Sequence, residues 1–152
     1  MGTTLVDGLT ARDRGTRVLS VSRKDAGAIL PIGRAKQHVY WYDESGTFTT
    51  SSWYRDTLPA WVQHFNERRE PSGYVGRAWT LLLPEHEYPE PDSVDVESVG
   101  VSFTFPHVLP ADTAQALRYL IGWPWMDDLT ISFALHGLEA LSLGRGRTPR
   151  AG

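Results

Sequence analysis

The chain of 152 residues contains no cysteine. Disulfide frameworks, thiolate zinc sites and thiol nucleophiles are thereby excluded. Positive charge is scarce as well: 15 Lys and Arg stand against 18 Asp and Glu, for a net charge of −3 and a pI of about 5.9. Nucleic-acid binders carry a basic stripe, so a nucleic-acid duplex is not an expected partner. No apolar run approaches the ~20 residues that span a bilayer. The opening stretch "MGTTLVDGLTARDRG" lacks the apolar centre of a secretory signal. HExxH, GxSxG, GxxxxGKS/T and EF-hand patterns are missing too. What is present is material for a core, with 41% hydrophobic residues, six Trp and six Tyr. That suits one domain of ordinary size.

Along the chain, Thr3 or Thr4 is placed to cap a helix running to about Arg14, with Leu5 and Leu9 on one face and Gly15 as its stop. "TRVLSVS" reads as a short strand buried on both faces. Asp25 then caps a brief helix, "AGAILPIG", closed by Gly33. "HVYWYD" and "TFTTSS" flank Glu44-Ser45-Gly46, which predicts a hairpin. Leu58-Pro59 opens a helix with Trp61 and Phe65 on its inner face. Residues 70–78 read as loop, "AWTLLLP" as a short strand, and "PEHEYPEPDSVDVES" as an acidic, proline-rich surface excursion. "VSFTFPH" is a further strand. Asp112 leads a helix to Leu120, and Asp127-Asp128 heads a longer one that Gly144 ends.

This order of elements predicts an α/β or α+β fold with a hairpin and a loop-rich middle. The domain is expected over residues 1–147, with a loose basic tail at 148–152. The helix ending at 143 has no strand after it, as in an unfinished βα unit.

Lys24 is the most informative residue. It stands where a buried strand surfaces and a helix begins, and ligands of open α/β sheets gather beyond the carboxyl ends of the strands. An ammonium group beside free backbone N–H groups suits a phosphate. Spacing alone favours the plain reading, a solvated lysine beside the capping Asp25. The five histidines do not cluster: His38, His64 and His136 read as structural, and for His107, after a proline at a strand end, a contact is the lesser reading. Glu85-His86-Glu87 reads as solvated loop. Asp127-Asp128 already serves the helix macrodipole. No complete active site is visible in these residues.

The order of motifs is more specific than any one of them. The run "TLVDGL…GTRVLSVSRKDAGAILPIGRAKQHVYWYDESGTFTTSSWYRDTLPAWVQHFN", followed by "AWTLLLP…YPEPDSV", "FTFPH" and "DDLTISFAL…LGRG", resembles the alkaline phosphatase superfamily. It looks most like the branch of PafA-type phosphatases and type I phosphodiesterases or nucleotide pyrophosphatases. The resemblance covers residues 4–146 and is strongest over 16–66.

It implies a partial alkaline-phosphatase-like α/β fold and a hydrolase in which two zinc ions drive displacement at phosphorus through a Thr or Ser phosphate intermediate. It also implies that Lys24 contacts the phosphoryl group of a phosphate-ester substrate. Ala26 stands where the phosphomonoesterase members carry an arginine, so a planar two-point clamp on phosphate oxygens is missing. Arg23 and Arg34 are the nearby cations.

The family's nucleophile and metal-ligating Asp and His residues fall outside the matched stretch. The expectation is therefore a central fragment, inactive alone and binding no zinc by itself. Its exposed sheet edges favour self-association, and its parent family is often periplasmic or secreted. A second reading is a non-catalytic binding module with Trp41, Trp53, Tyr54 and Trp79 as an aromatic surface.

Overall fold

The computed structural model describes residues 3–90, 92 and 104–145. Helix α1 (Leu5–Arg12) begins at a full capping box: Asp7 N–H donates to Thr4 Oγ1 at 3.1 Å, and the Asp7 carboxylate accepts from Thr4 N–H at 3.0 Å. Its inward residue is Val6. Leu5 and Leu9, expected on the packed face, are 78% and 44% exposed, and the helix ends at Asp13 rather than Gly15.

Strand β1 (Leu19–Ser22) pairs in parallel with β2 (His38–Asp43), which pairs antiparallel with β3 (Thr47–Thr49). The parallel register runs from Leu19 opposite His38 to Ser22 opposite Trp41. The expected hairpin is present, with Asp43 Oδ1 accepting from Ser45 N–H at 2.9 Å and Gly46 at φ +88°. Helix α2 (Asp25–Ile29) makes the crossover between the parallel strands.

Side chains alternate along β2, so each face of the sheet has its own core. On one face Val39 packs with Ala28, Ile32 and Val6 beneath α1 and α2. On the other, Tyr40 and Tyr42 meet α3 (Ala60–Glu67) and α5 (Trp125–Ala140). Phe133 of α5 is the hub there. It stacks on Phe48 at 3.9 Å between ring centres and takes Tyr40, Trp61 and Phe65 at 5.0–5.6 Å. Offset and edge-on geometries of this kind are favourable beyond the area they bury. Strand β1, expected to be buried on both faces, is half-buried throughout, because it lies at the sheet's edge.

The remainder is a thin arm. A 3-10 turn spans Glu70–Tyr74, where loop was expected. The strand expected over "AWTLLLP" reduces to β4 (Ala78–Trp79), paired with β5 (His107–Val108). Leu82 is 92% exposed, so nothing in the described residues holds that stretch in a sheet. Of the strand expected over "VSFTFPH", residues 101–103 lie outside the described residues and only the His107 end is extended in a ladder. The acidic excursion is irregular where it is described, with one 3-10 turn at Glu85–Glu87. Helix α4 (Thr113–Tyr119) is capped by Asp112, as its sequence demands. Helix α5 starts one turn-position earlier than expected, at Pro124-Trp125, with Asp127 and Asp128 in its first turn. The tail at 148–152 lies outside the described residues.

Candidate functional site

Lys24 follows β1 directly, at the carboxyl end of the parallel pair. Its backbone is extended (φ −132°, ψ 149°), it is the N-cap residue of α2, and its side chain is exposed. Asp25, expected as the cap, lies one residue inside the helix, where its carboxylate accepts from Ala26 N–H at 2.6 Å. The N–H of Lys24 itself donates to Ser22 Oγ at 3.3 Å. Two of the amides at this turn, those of Lys24 and Ala26, are therefore taken by the neighbouring side chains of Ser22 and Asp25. Among the described residues Lys24 has no ion-pair partner; the salt bridges there join Arg68 to Glu70 and Arg118 to Glu44.

The neighbouring cations point elsewhere. In extended backbone, successive side chains leave on opposite sides. Arg23 accordingly reaches across to the Ile121 carbonyl, 3.3 Å away. Arg34 is gathered at α1, where its backbone N–H donates to Asp7 Oδ1 at 3.2 Å and its guanidinium helps hold the Asp7 carboxyl below the ordinary range, after the larger effect of the Thr4 amide. Ala26 is exposed on the first turn of α2, on the solvent side. No arginine takes over the place that Ala26 leaves.

His38, at the opposite end of the pair, is structural. Its Nδ1 lies 2.5 Å from Arg55 Nη2, and burial, with Arg55 and Arg17 nearby, depresses its pKa to about 4. It is a neutral acceptor at pH 7. His136 packs against Trp61 and Phe65, and His64 is exposed. His107 belongs to an aromatic row in the arm, 4.4 Å from Phe105 and 5.6 Å from Trp79; Trp79 in turn meets Trp123, which stacks on Trp125. Among the described residues no three His, Asp or Glu side chains converge on a point where a metal would sit.

The described residues enclose open cavities. One of about 470 Å3 lies between Arg68, His136, Glu139 and Arg145, and one of about 810 Å3 between Leu81, Glu85, Tyr88, Glu90 and Phe105. Lys24 lines neither. The four aromatics considered as a binding surface divide among three neighbourhoods. Trp41 and Tyr54 pack on the α2-side core, Trp53 lies under Lys36 at 4.9 Å, and Trp79 is in the arm.

No family model matches the chain. Individual proteins do. It is 34% identical over 94% of its length to alkaline phosphatase PhoV of Synechococcus elongatus, and 33% identical over 93% to alkaline phosphatase PafA of Elizabethkingia meningoseptica. The crystal structure of wild-type PafA superposes with a TM-score of 0.81 at 32% identity, over 93% of this chain. The chain is a segment of the alkaline phosphatase superfamily. It spans a little over a quarter of those relatives: 27% of PhoV, 28% of PafA and 29% of the crystallised PafA chain.

Over 85% of its length the chain is also 29% identical to a calcium-transporting ATPase of Myroides odoratus, of which it covers 25%. The alkaline phosphatase segment thus has the partial α/β fold that its motifs implied. Sequence reasoning missed the two residues that shape the Lys24 turn from behind, Ser22 and Gly27. A glycine inside a five-residue helix was the available signal, since glycine weakens a helix unless close packing demands it.

Proposed function

We propose that this segment supplies a phosphate-facing lysine, Lys24, and part of the substrate-enclosing scaffold of a zinc-dependent phosphoric-ester hydrolase. Within that reading the chain by itself turns over no ester. The observation that carries it is a lysine without an ion-pair partner among the described residues, displayed at the carboxyl end of a parallel strand. That strand belongs to a segment matching an alkaline phosphatase at a TM-score of 0.81. The carboxyl ends of parallel strands are where open α/β folds bind their ligands.

Lys24 holds a phosphoryl oxygen as a point charge, and without a guanidinium at position 26 it holds one oxygen rather than two. That weakens the case for phosphate monoesters specifically and leaves phosphodiesters within the same reading, as in the phosphodiesterase and nucleotide pyrophosphatase members. The test is to assay the 152-residue chain with zinc against aryl phosphate monoesters and diesters. Background rates are expected for both. Turnover clearly above background and abolished by Lys24→Ala would refute the claim that the reacting groups lie outside this segment.

A further inference from the structure

We propose that Ser22 is a positioning residue for Lys24, held in place by the absence of a side chain at Gly27. The inference rests on the reading of Lys24 as phosphate-facing and goes one step behind it. Ser22 is the last residue of β1, and its hydroxyl oxygen accepts the Lys24 N–H at 3.3 Å. On the other side of that hydroxyl lies the first turn of α2. A Cβ on Gly27 would come within 2.4 Å of Ser22 Oγ and 3.1 Å of Ser22 Cβ. Gly27 has no need of a left-handed backbone, since it sits inside α2, so close approach is the reason for glycine there.

The hydroxyl therefore occupies a slot between strand end and helix, open only because position 27 lacks a side chain. Ser20, two residues back on the same face, is anchored in the same way, with its Oγ–H donating to the Ala28 carbonyl at 2.8 Å. Ser20 thus ties the body of α2 to β1, and Ser22 ties the N-cap residue that precedes the helix. The direction in which the Lys24 side chain leaves the backbone is set by the extended conformation that the Ser22 bond fixes.

An inorganic phosphate titration of the full chain tests this. It is followed at the ε-methylene resonance of Lys24 for wild type, Ser22→Ala, Gly27→Ala and the double variant, beside thermal unfolding of each. Ser22→Ala is expected to weaken phosphate at Lys24 by about three- to tenfold, the scale of one hydrogen bond, and to shift the Lys24 HN–Hα coupling. Gly27→Ala is expected to lower both Tm and phosphate response. The double variant is expected to regain most of the Tm, because the severest clash is with Oγ, while its phosphate response stays weak. That split separates positioning from folding.

Recovery of Tm and phosphate response together overturns the proposal, as does Ser22→Ala with wild-type affinity. If phosphate leaves the wild-type Lys24 resonance unmoved, the phosphate-facing reading fails instead. The coupling then decides alone: unchanged in Ser22→Ala it sinks the positioning role, and shifted it sustains it.

Discussion

At the carboxyl end of the β1–β2 pair Lys24 stands exposed, with no anionic partner among the described residues. At the amino end Arg17 and Arg55 are drawn in around His38. Arg17 donates to the Leu141 carbonyl at the close of α5, and Arg55 donates to His38 and lies beside the Tyr40 hydroxyl. One end thus spends two guanidinium groups on holding a loop and a helix terminus to the sheet. The other leaves its ammonium without structural work.

The packing agrees. Tyr40 is fully buried, and its hydroxyl and the Arg55 Nε have no hydrogen bond among the described residues, so the amino end is already constrained by groups it does not fully satisfy. A cation that serves the fold is bound to its surroundings. A cation that serves a ligand is left accessible.

The sharpest break in that comparison comes from Arg55→Ala. It strips the donor from a half-buried His38 and leaves the Tyr40 hydroxyl without its polar neighbour. A loss of about 2–3 kcal/mol is expected, on the scale of an orphaned buried polar group plus lost packing. Urea unfolding at pH 7 measures it. Arg55→Lys keeps the charge but not the planar fork and is expected to fall between. If Arg55→Ala costs no more than a surface substitution, the two ends are not different in kind.

The second test is pH. His38 titrates at about 4 in the fold against about 6.5 unfolded, chiefly through burial and then through Arg55 and Arg17. The unfolded chain therefore takes up the proton first as pH falls. The stability that neutral His38 contributes is complete above about 6.5 and is lost progressively down to about 4. The expected decline is on the order of 1–3 kcal/mol, discounted from the full shift because the ring is only half-buried. Asp7 and Asp43 are also held below their ordinary carboxyl range by hydrogen bonds. Their contributions fade as pH falls below about 5, so the upper part of the window, from about 6.5 to 5, reports chiefly on the histidine. His38→Gln should flatten the profile there; an unchanged slope would remove His38 as its source.

The elements that the sequence made legible are those with local chemistry. Thr4 and Asp112 act as helix caps, Glu44-Ser45-Gly46 turns a hairpin, and Pro59 opens α3, each by a bond or a dihedral within a few residues. Helix α1 was misjudged because Leu5 and Leu9 look like an inner face until α2 and the sheet are in place, and these contact Val6 instead. The edge position of β1 was equally hidden, since Val18, Leu19 and Val21 read alike at an edge or a centre. At the candidate site, strand–helix spacing placed Lys24 at the end of β1, and its phosphate-facing role came from motif order alone. The Asp25 cap was misplaced by one residue. The slot made by Ser22 and Gly27 needs the distance between a strand end and a helix, which no spacing rule encodes. The Arg55–His38 contact joins residues 17 apart across a hairpin, beyond any local pattern.

Lys24→Ala carries the smallest expected effect on the fold, and that is its value. The side chain is exposed, makes no ion pair among the described residues, and lies on an extended residue whose backbone bonds do not involve its own side chain. Its removal should change unfolding free energy by less than about 0.5 kcal/mol, the range of surface positions without special contacts. Side-chain entropy is lost on neither side of the transition, so no hidden compensation is expected. A null result in unfolding alone would suit any solvated lysine. It becomes informative when paired with Arg55→Ala and with the phosphate titration. If the proposed role of Lys24 holds, the carboxyl end loses its anion response at almost no cost in stability, while the amino end loses stability first. Should Lys24→Ala instead unfold the chain as readily as Arg55→Ala, the ammonium group would be a structural contact, and the carboxyl end of β1 would have no group set aside for a phosphoryl oxygen.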